Sequence, residues 1–123
     1  MFRWFQRKGE KGQHEGIPEI DRHTSLDTLL DQELLVVFKH SPACPVSWAA
    51  HRHITRFQAH HPLVPVYLVS VIAERAASQQ IAKRVQVRHE SPQVILLRRG
   101  VVVSVLSHGE ITEGQLSGML TAG

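Results

Sequence analysis

Apolar and polar positions alternate in recognisable helical and strand-like periods from about Thr24 onward. Thr24-Ser25-Leu26-Asp27 offers a hydroxyl N-cap with an acid in the first turn. Leu26, Leu29 and Leu30 then fall on one face, which predicts a short first helix. Leu34-Leu35-Val36-Val37-Phe38 is a continuous apolar run and fits a strand buried on both faces. A turn over Lys39-His40-Ser41-Pro42-Ala43 leads into Cys44-Pro45. From Pro45 to about His60 the period is helical, with Val46, Ala49, Ala50, Ile54 and Phe57 on one face and Ser47, His51, Thr55 and Gln58 turned away. Proline is tolerated in a first helical turn because its missing N–H would be unpaired there. Past Pro62, Val64–Val71 reads as a second buried strand and Glu74–Arg84 as a helix. Gln93–Leu97 and Val101–Leu106 are β-rich runs joined by Arg98-Arg99-Gly100, the signature of a hairpin. A last helix from about Thr112 packs through Ile111, Leu116, Met119 and Leu120.

The predicted order is α-β-α-β-α-β-β-α. Strands that alternate with helices pair in parallel, and the hairpin adds antiparallel strands. The fold class is therefore α/β, with a mixed four-stranded central sheet flanked by helices on both faces. Residues 1–20 read as a basic tail and linker, because Lys8-Gly9-Glu10-Lys11-Gly12-Gln13-His14-Glu15-Gly16 is polar, glycine-rich and aperiodic. Met1-Phe2-Arg3-Trp4-Phe5 mixes aromatics with a cation but is too short for strong membrane attachment. Residues 21–123 make up the domain.

Composition narrows the function classes. The chain has 123 residues, 42% of them hydrophobic, enough for one core that buries roughly two-thirds of the unfolded surface. Its net charge of +3 comes from the tail, where Arg3, Arg7, Lys8 and Lys11 face Glu10 alone. The remainder is balanced, so no nucleic-acid partner is expected. No apolar run reaches the ~20 residues of a membrane span, and no secretory signal is read, so the expected setting is the cytoplasm. One cysteine cannot form an internal disulfide.

That cysteine carries the candidate chemistry. A helix N-terminus bears about half a positive charge and unpaired N–H groups, which favour thiolate over thiol, and thiolate is the attacking form. Ser47, three residues on, is placed to donate a hydrogen bond to the sulfur. Lys39 and His40 would add positive potential nearby. With no second cysteine, a nucleophilic Cys44 must be released by a thiol from outside, which forces a monothiol cycle.

Ser91-Pro92 stands immediately before a strand, either as a plain boundary or, with a cis bond, as a fixed turn. His51-x-His53 and His60-His61 are not read as a metal site, because i and i+2 point apart on a helix and His53 and His60 lie on the packing face. His51 is about 10 Å beyond Cys44 by helix rise, too far for a direct base. Two basic groups, Lys83-Arg84 with Arg88 and Arg98-Arg99, would form an anion site only if they met in space.

Strand, Cys44-Pro45-Val46-Ser47 at a helix start, Ser91-Pro92 before a strand and Gly100 in a hairpin together resemble the thioredoxin fold. Within it, Phe38-Lys39-His40-Ser41 followed by Cys44-Pro45-Val46-Ser47 resembles the YtxJ-like monothiol bacilliredoxins. Ala43 stands where that motif has threonine. The resemblance implies a thiol–disulfide oxidoreductase with Cys44 as its catalytic residue, supported by Pro45, Ser47, Lys39 and His40. Ser91 and Pro92 would shape the thiol-binding groove. It further implies no bound cofactor, bacillithiol or a similar small thiol as co-substrate, and bacillithiolated client proteins as partners. The competing expectations are a catalytically silent thioredoxin-like binding module and, more weakly, a peroxide-reducing site, for which Ser41 only half meets the motif.

Overall fold

The computed structural model describes residues 16–122. The basic tail and its aromatics, residues 1–15, lie outside the described residues. Four helices and four strands run in the expected order: α1 (Leu26–Leu30), β1 (Leu35–His40), α2 (Pro45–His60), β2 (Val66–Ser70), α3 (Arg75–Val85), β3 (Gln93–Arg98), β4 (Val101–Ser107) and α4 (Glu113–Ala122), with a 3-10 turn at His108–Glu110.

The strands form one sheet in the order β2-β1-β3-β4. β1 and β2 are parallel, while β1–β3 and β3–β4 are antiparallel. β1 is central, and its alternation explains its unbroken apolar run. Val36 and Phe38 enter one core with Ala50, Ile54, Phe57, Leu116 and Met119 from α2 and α4. Leu35 and Val37 enter the other, with Leu29 and Leu30 from α1 and Ile81 and Val85 from α3. The β3–β4 turn places both Arg99 (φ 49°) and Gly100 (φ 79°) in the left-handed region, which matches the twist of the flanking strands.

Two boundaries differ from the sequence expectation. Ile17 and Ile20 are buried, and the segment pairs with β2 through Ile20 N–H to Leu68 O (2.7 Å) and Leu68 N–H to Pro18 O (2.9 Å). The folded unit thus includes residues assigned to the linker. Two isolated apolar residues give no period to detect, and only the open edge of β2 makes them a strand-like addition. β1 also continues through Lys39 and His40, which were expected in the turn. Backbone pairing of Lys39 with Val69 and Gln93 holds them in the sheet despite their polarity.

Candidate functional site

The C-terminal ends of β1 and β2 and the N-terminal end of β3 lie at one edge of the sheet, where loops commonly assemble sites. The loop after β1 tightens into a turn, Cys44 N–H donating to Ser41 O at 3.1 Å. Cys44 is then the N-cap of α2, with extended backbone (φ −116°, ψ 122°) and Pro45 in the first turn. Its carbonyl accepts from Ser47 N–H (3.1 Å) and Trp48 N–H (3.2 Å). The thiol is free, half-buried, and caps no backbone N–H of the helix.

Ser47 does not serve the sulfur in the way its spacing suggested. It is fully buried. Its oxygen accepts from Ser41 N–H at 2.9 Å and lies 2.7 Å from His40 Nδ1. Val46, expected on the packing face, is instead 48% exposed. The face of α2 that meets the sheet is Ser47, Ala50, Ile54 and Phe57, so the stripe is rotated one position in the first turn. A hydroxyl can be buried there because both its neighbours are polar groups of the preceding loop and strand.

Lys39 and His40 are both buried, on opposite faces of β1. Burial pushes His40 down to about 4, with His51 nearby as a smaller cause. It therefore supplies no positive charge near neutral pH, contrary to the sequence expectation. Lys39 turns to the α3 side, where Nζ lies 3.0 Å from His89 Nδ1. Burial lowers it to about 8, so it remains largely an ammonium near neutral pH. Burial and the Lys39 charge both lower His89, which leaves its Nδ1 as a neutral acceptor for the lysine.

The Ser91–Pro92 peptide bond is cis, which decides between the two sequence alternatives. Pro92 is buried at the start of β3, and its carbonyl accepts from His108 N–H at 2.9 Å. Ser91 Oγ is buried without a hydrogen-bond partner among the described residues. The two basic groups do not meet. Arg84 pairs with Asp27 at 2.6 Å on the α1–α3 side, whereas Arg98 reaches Leu120 O in α4. His53 accepts from the Glu113 N–H at 3.0 Å, and His60 pairs with the Glu113 carboxylate. These two histidines fasten α4 to α2.

Sequence reasoning missed Trp48 and His89, and weighed His51 only as a base for Cys44 and as a metal ligand. Trp48 is 44% exposed, and its Nε1–H donates to Pro42 O at 2.8 Å, tying the helix to the loop before Cys44. Its spacing four residues after Cys44, one turn along the helix, was the available signal.

A family model described as monothiol bacilliredoxin BrxC matches residues 17–116. A solved protein described as a proposed oxidoreductase with a thioredoxin fold is similar at 28% identity, over 85% of this chain and 93% of that one, with a TM-score of 0.78. Thioredoxin from Trypanosoma brucei brucei is similar in fold, at 13% identity over 91% of this chain and 94% of its own, with a TM-score of 0.71. Thioredoxin f2 of Chlamydomonas reinhardtii is similar in fold at 16% identity over 85% and 94%, with a TM-score of 0.67.

Proposed function

This chain belongs to the monothiol bacilliredoxin family, a thioredoxin-fold group of thiol–disulfide oxidoreductases, and on that premise we propose that Cys44 removes bacillithiol, or a similar small thiol, from mixed disulfides on proteins. The observation that carries the reading is the placement of the chain's one cysteine. It stands half-buried at the N-cap of α2, and the position a turn later holds a serine hydroxyl engaged inward.

Cys44 thiolate attacks the small-thiol sulfur of the mixed disulfide. The old S–S bond breaks, the client cysteine leaves as thiolate and takes up a proton, and the small thiol is now disulfide-bonded to Cys44. A second molecule of small thiol attacks that disulfide as thiolate. It releases Cys44 and departs as the symmetrical small-molecule disulfide. Each cycle thus consumes one free small thiol, whose sulfur rises to the disulfide level as the client sulfur returns to thiol, and no resident cofactor is required. Pro45 starts the helix, while Ser47 and His40 hold the loop that carries Cys44. Lys39 keeps a buried positive charge at the end of the same strand. Ser91 and Pro92 border the groove. A lone thiol that needs an external reductant suits a reducing, cytoplasmic setting.

Intact mass after reaction with bacillithiol disulfide tests this directly. One bacillithiol adduct is expected, absent in Cys44→Ser and discharged by excess small thiol, together with release of the thiol from a bacillithiolated client protein. Client reduction at the parent rate by Cys44→Ser would overturn the reading. An adduct that forms but never transfers would point instead to a binding module.

A further inference from the structure

Lys39 breaks the apolar pattern of its strand. Leu35 and Val37, which share its face of β1 by alternation, enter the core with α1 and α3. Lys39 follows them and is 0% exposed. An ammonium buried there costs free energy, and that cost appears as its lowering to about 8. What the ammonium reaches is His89, whose Nδ1 lies 3.0 Å from Nζ. An ammonium has only protons to give, so the ring nitrogen accepts. His89 is exposed, so this bond joins a buried strand residue to a surface loop, residues 86–92 between α3 and β3. Gln93 is the partner of Lys39 across the sheet, so both side chains leave the same face. The Gln93 Nε2–H donates to Arg88 O at 3.0 Å. Two buried polar neighbours thus hold two consecutive residues of one loop.

The loop is tied on its other flank as well. Glu90 Oε1 lies 3.3 Å from His108 Nε2, and Pro92 O accepts from His108 N–H at 2.9 Å. Ser91 stands between these tied residues, with its own Oγ buried and without a partner among the described residues. Its place is therefore set by its neighbours rather than by a bond of its own side chain. The Lys39–His89 contact is charge-assisted with one end out of water, which makes it stronger than the exposed Glu90–His108 pair. Removing its acceptor would leave a buried ammonium unpaired.

We propose that His89 is a positioning residue for thiol exchange: by accepting from Lys39 it fixes residues 88–92 against β1, and so holds Ser91 and Pro92 where the client segment docks. The inference rests on the proposed monothiol cycle and adds the device that aligns the client. Its effect falls on client affinity rather than on the reactivity of Cys44.

The test uses the full chain and a short peptide whose cysteine carries bacillithiol, with iodoacetamide as a probe of Cys44 that needs no groove. His89→Leu is expected to raise KM for the peptide about tenfold with little change in kcat. Its Cys44 should be alkylated by iodoacetamide at the parent rate. His89→Asn, whose side-chain oxygen can accept in the place of Nδ1, should restore most of the parent KM. Lys39→Met should also raise KM, and the double variant with His89→Leu should be no worse than either alone, because both act through one bond. Equal KM in parent and His89→Leu, additive effects in the double variant, or no rescue by His89→Asn overturns the clamp. So does a joint fall of kcat and alkylation rate in His89→Leu. A parent that releases no bacillithiol from the peptide overturns the monothiol reading, and the role of the clamp falls with it. That outcome is distinct from an active parent matched by its variants.

Discussion

Ser47 Oγ lies 2.7 Å from His40 Nδ1 and accepts a hydrogen bond from Ser41 N–H at 2.9 Å. One hydroxyl thereby joins the first turn of α2 to the last residue of β1 and to the loop between them. Ser47→Ala leaves both neighbours unpaired in a buried place. It should lower unfolding stability by about 1–3 kcal/mol, measured by urea denaturation. The effect on adduct formation should come through loosening of the loop rather than through loss of a bond to the sulfur.

His40 makes stability sensitive to acid. Its pKa falls from 6.5 to about 4 on folding because it is buried, so in that window the unfolded chain binds a proton that the folded chain does not. Stability from this group is therefore present above 6.5 and declines as pH falls toward about 4. His40→Gln should show a shallower acid decline than the parent in urea titrations across the window. An equally steep decline would remove His40 as the cause.

Lys39 acts at the other end of the scale. Burial lowers it from 10.5 to about 8, so between those values the unfolded chain again binds the extra proton. The cost of burying the ammonium is present below about 8 and is relieved as pH rises through the window. Parent stability should therefore gain on Lys39→Met with increasing alkalinity, with Lys39→Met the more tolerant of lower pH. Denaturation series on the two proteins check the difference, and parallel curves would contradict it.

Gly100 combines a φ of 79° with an approach to Leu30, whose carbonyl would lie 3.4 Å from an added Cβ. Gly100→Ala should cost about 1–2 kcal/mol through the left-handed backbone alone. The thermal midpoint should fall accordingly. Cys44 chemistry should be unaffected, since the hairpin turn lies at the opposite end of β3 from Pro92.

Much of the site was legible because its signals are local. A cysteine directly before a proline and an amphipathic run specifies an N-cap from steric and hydrogen-bonding rules that act within a few residues. The same holds for the apolar run of β1, whose alternate residues enter the two cores. Val46 and Ser47 were misassigned because the helical period specifies a stripe but not which edge of it meets the sheet in a first turn.

The sequence by itself determined the order of elements, because short-range periodicity sets it, and left Cys44 without a second thiol in the chain; the fold family came through the resemblance carried by Cys44-Pro45-Val46-Ser47, Ser91-Pro92 and Gly100. Tertiary structure decided the surroundings of the thiol. It drew Lys39 to His89, 50 residues away, and neutralised His40 by burial. It also made Ser91–Pro92 cis. Each depends on which distant segment arrives at the end of β1. Burial and the pairing of charges follow from that arrival, and no local pattern encodes them.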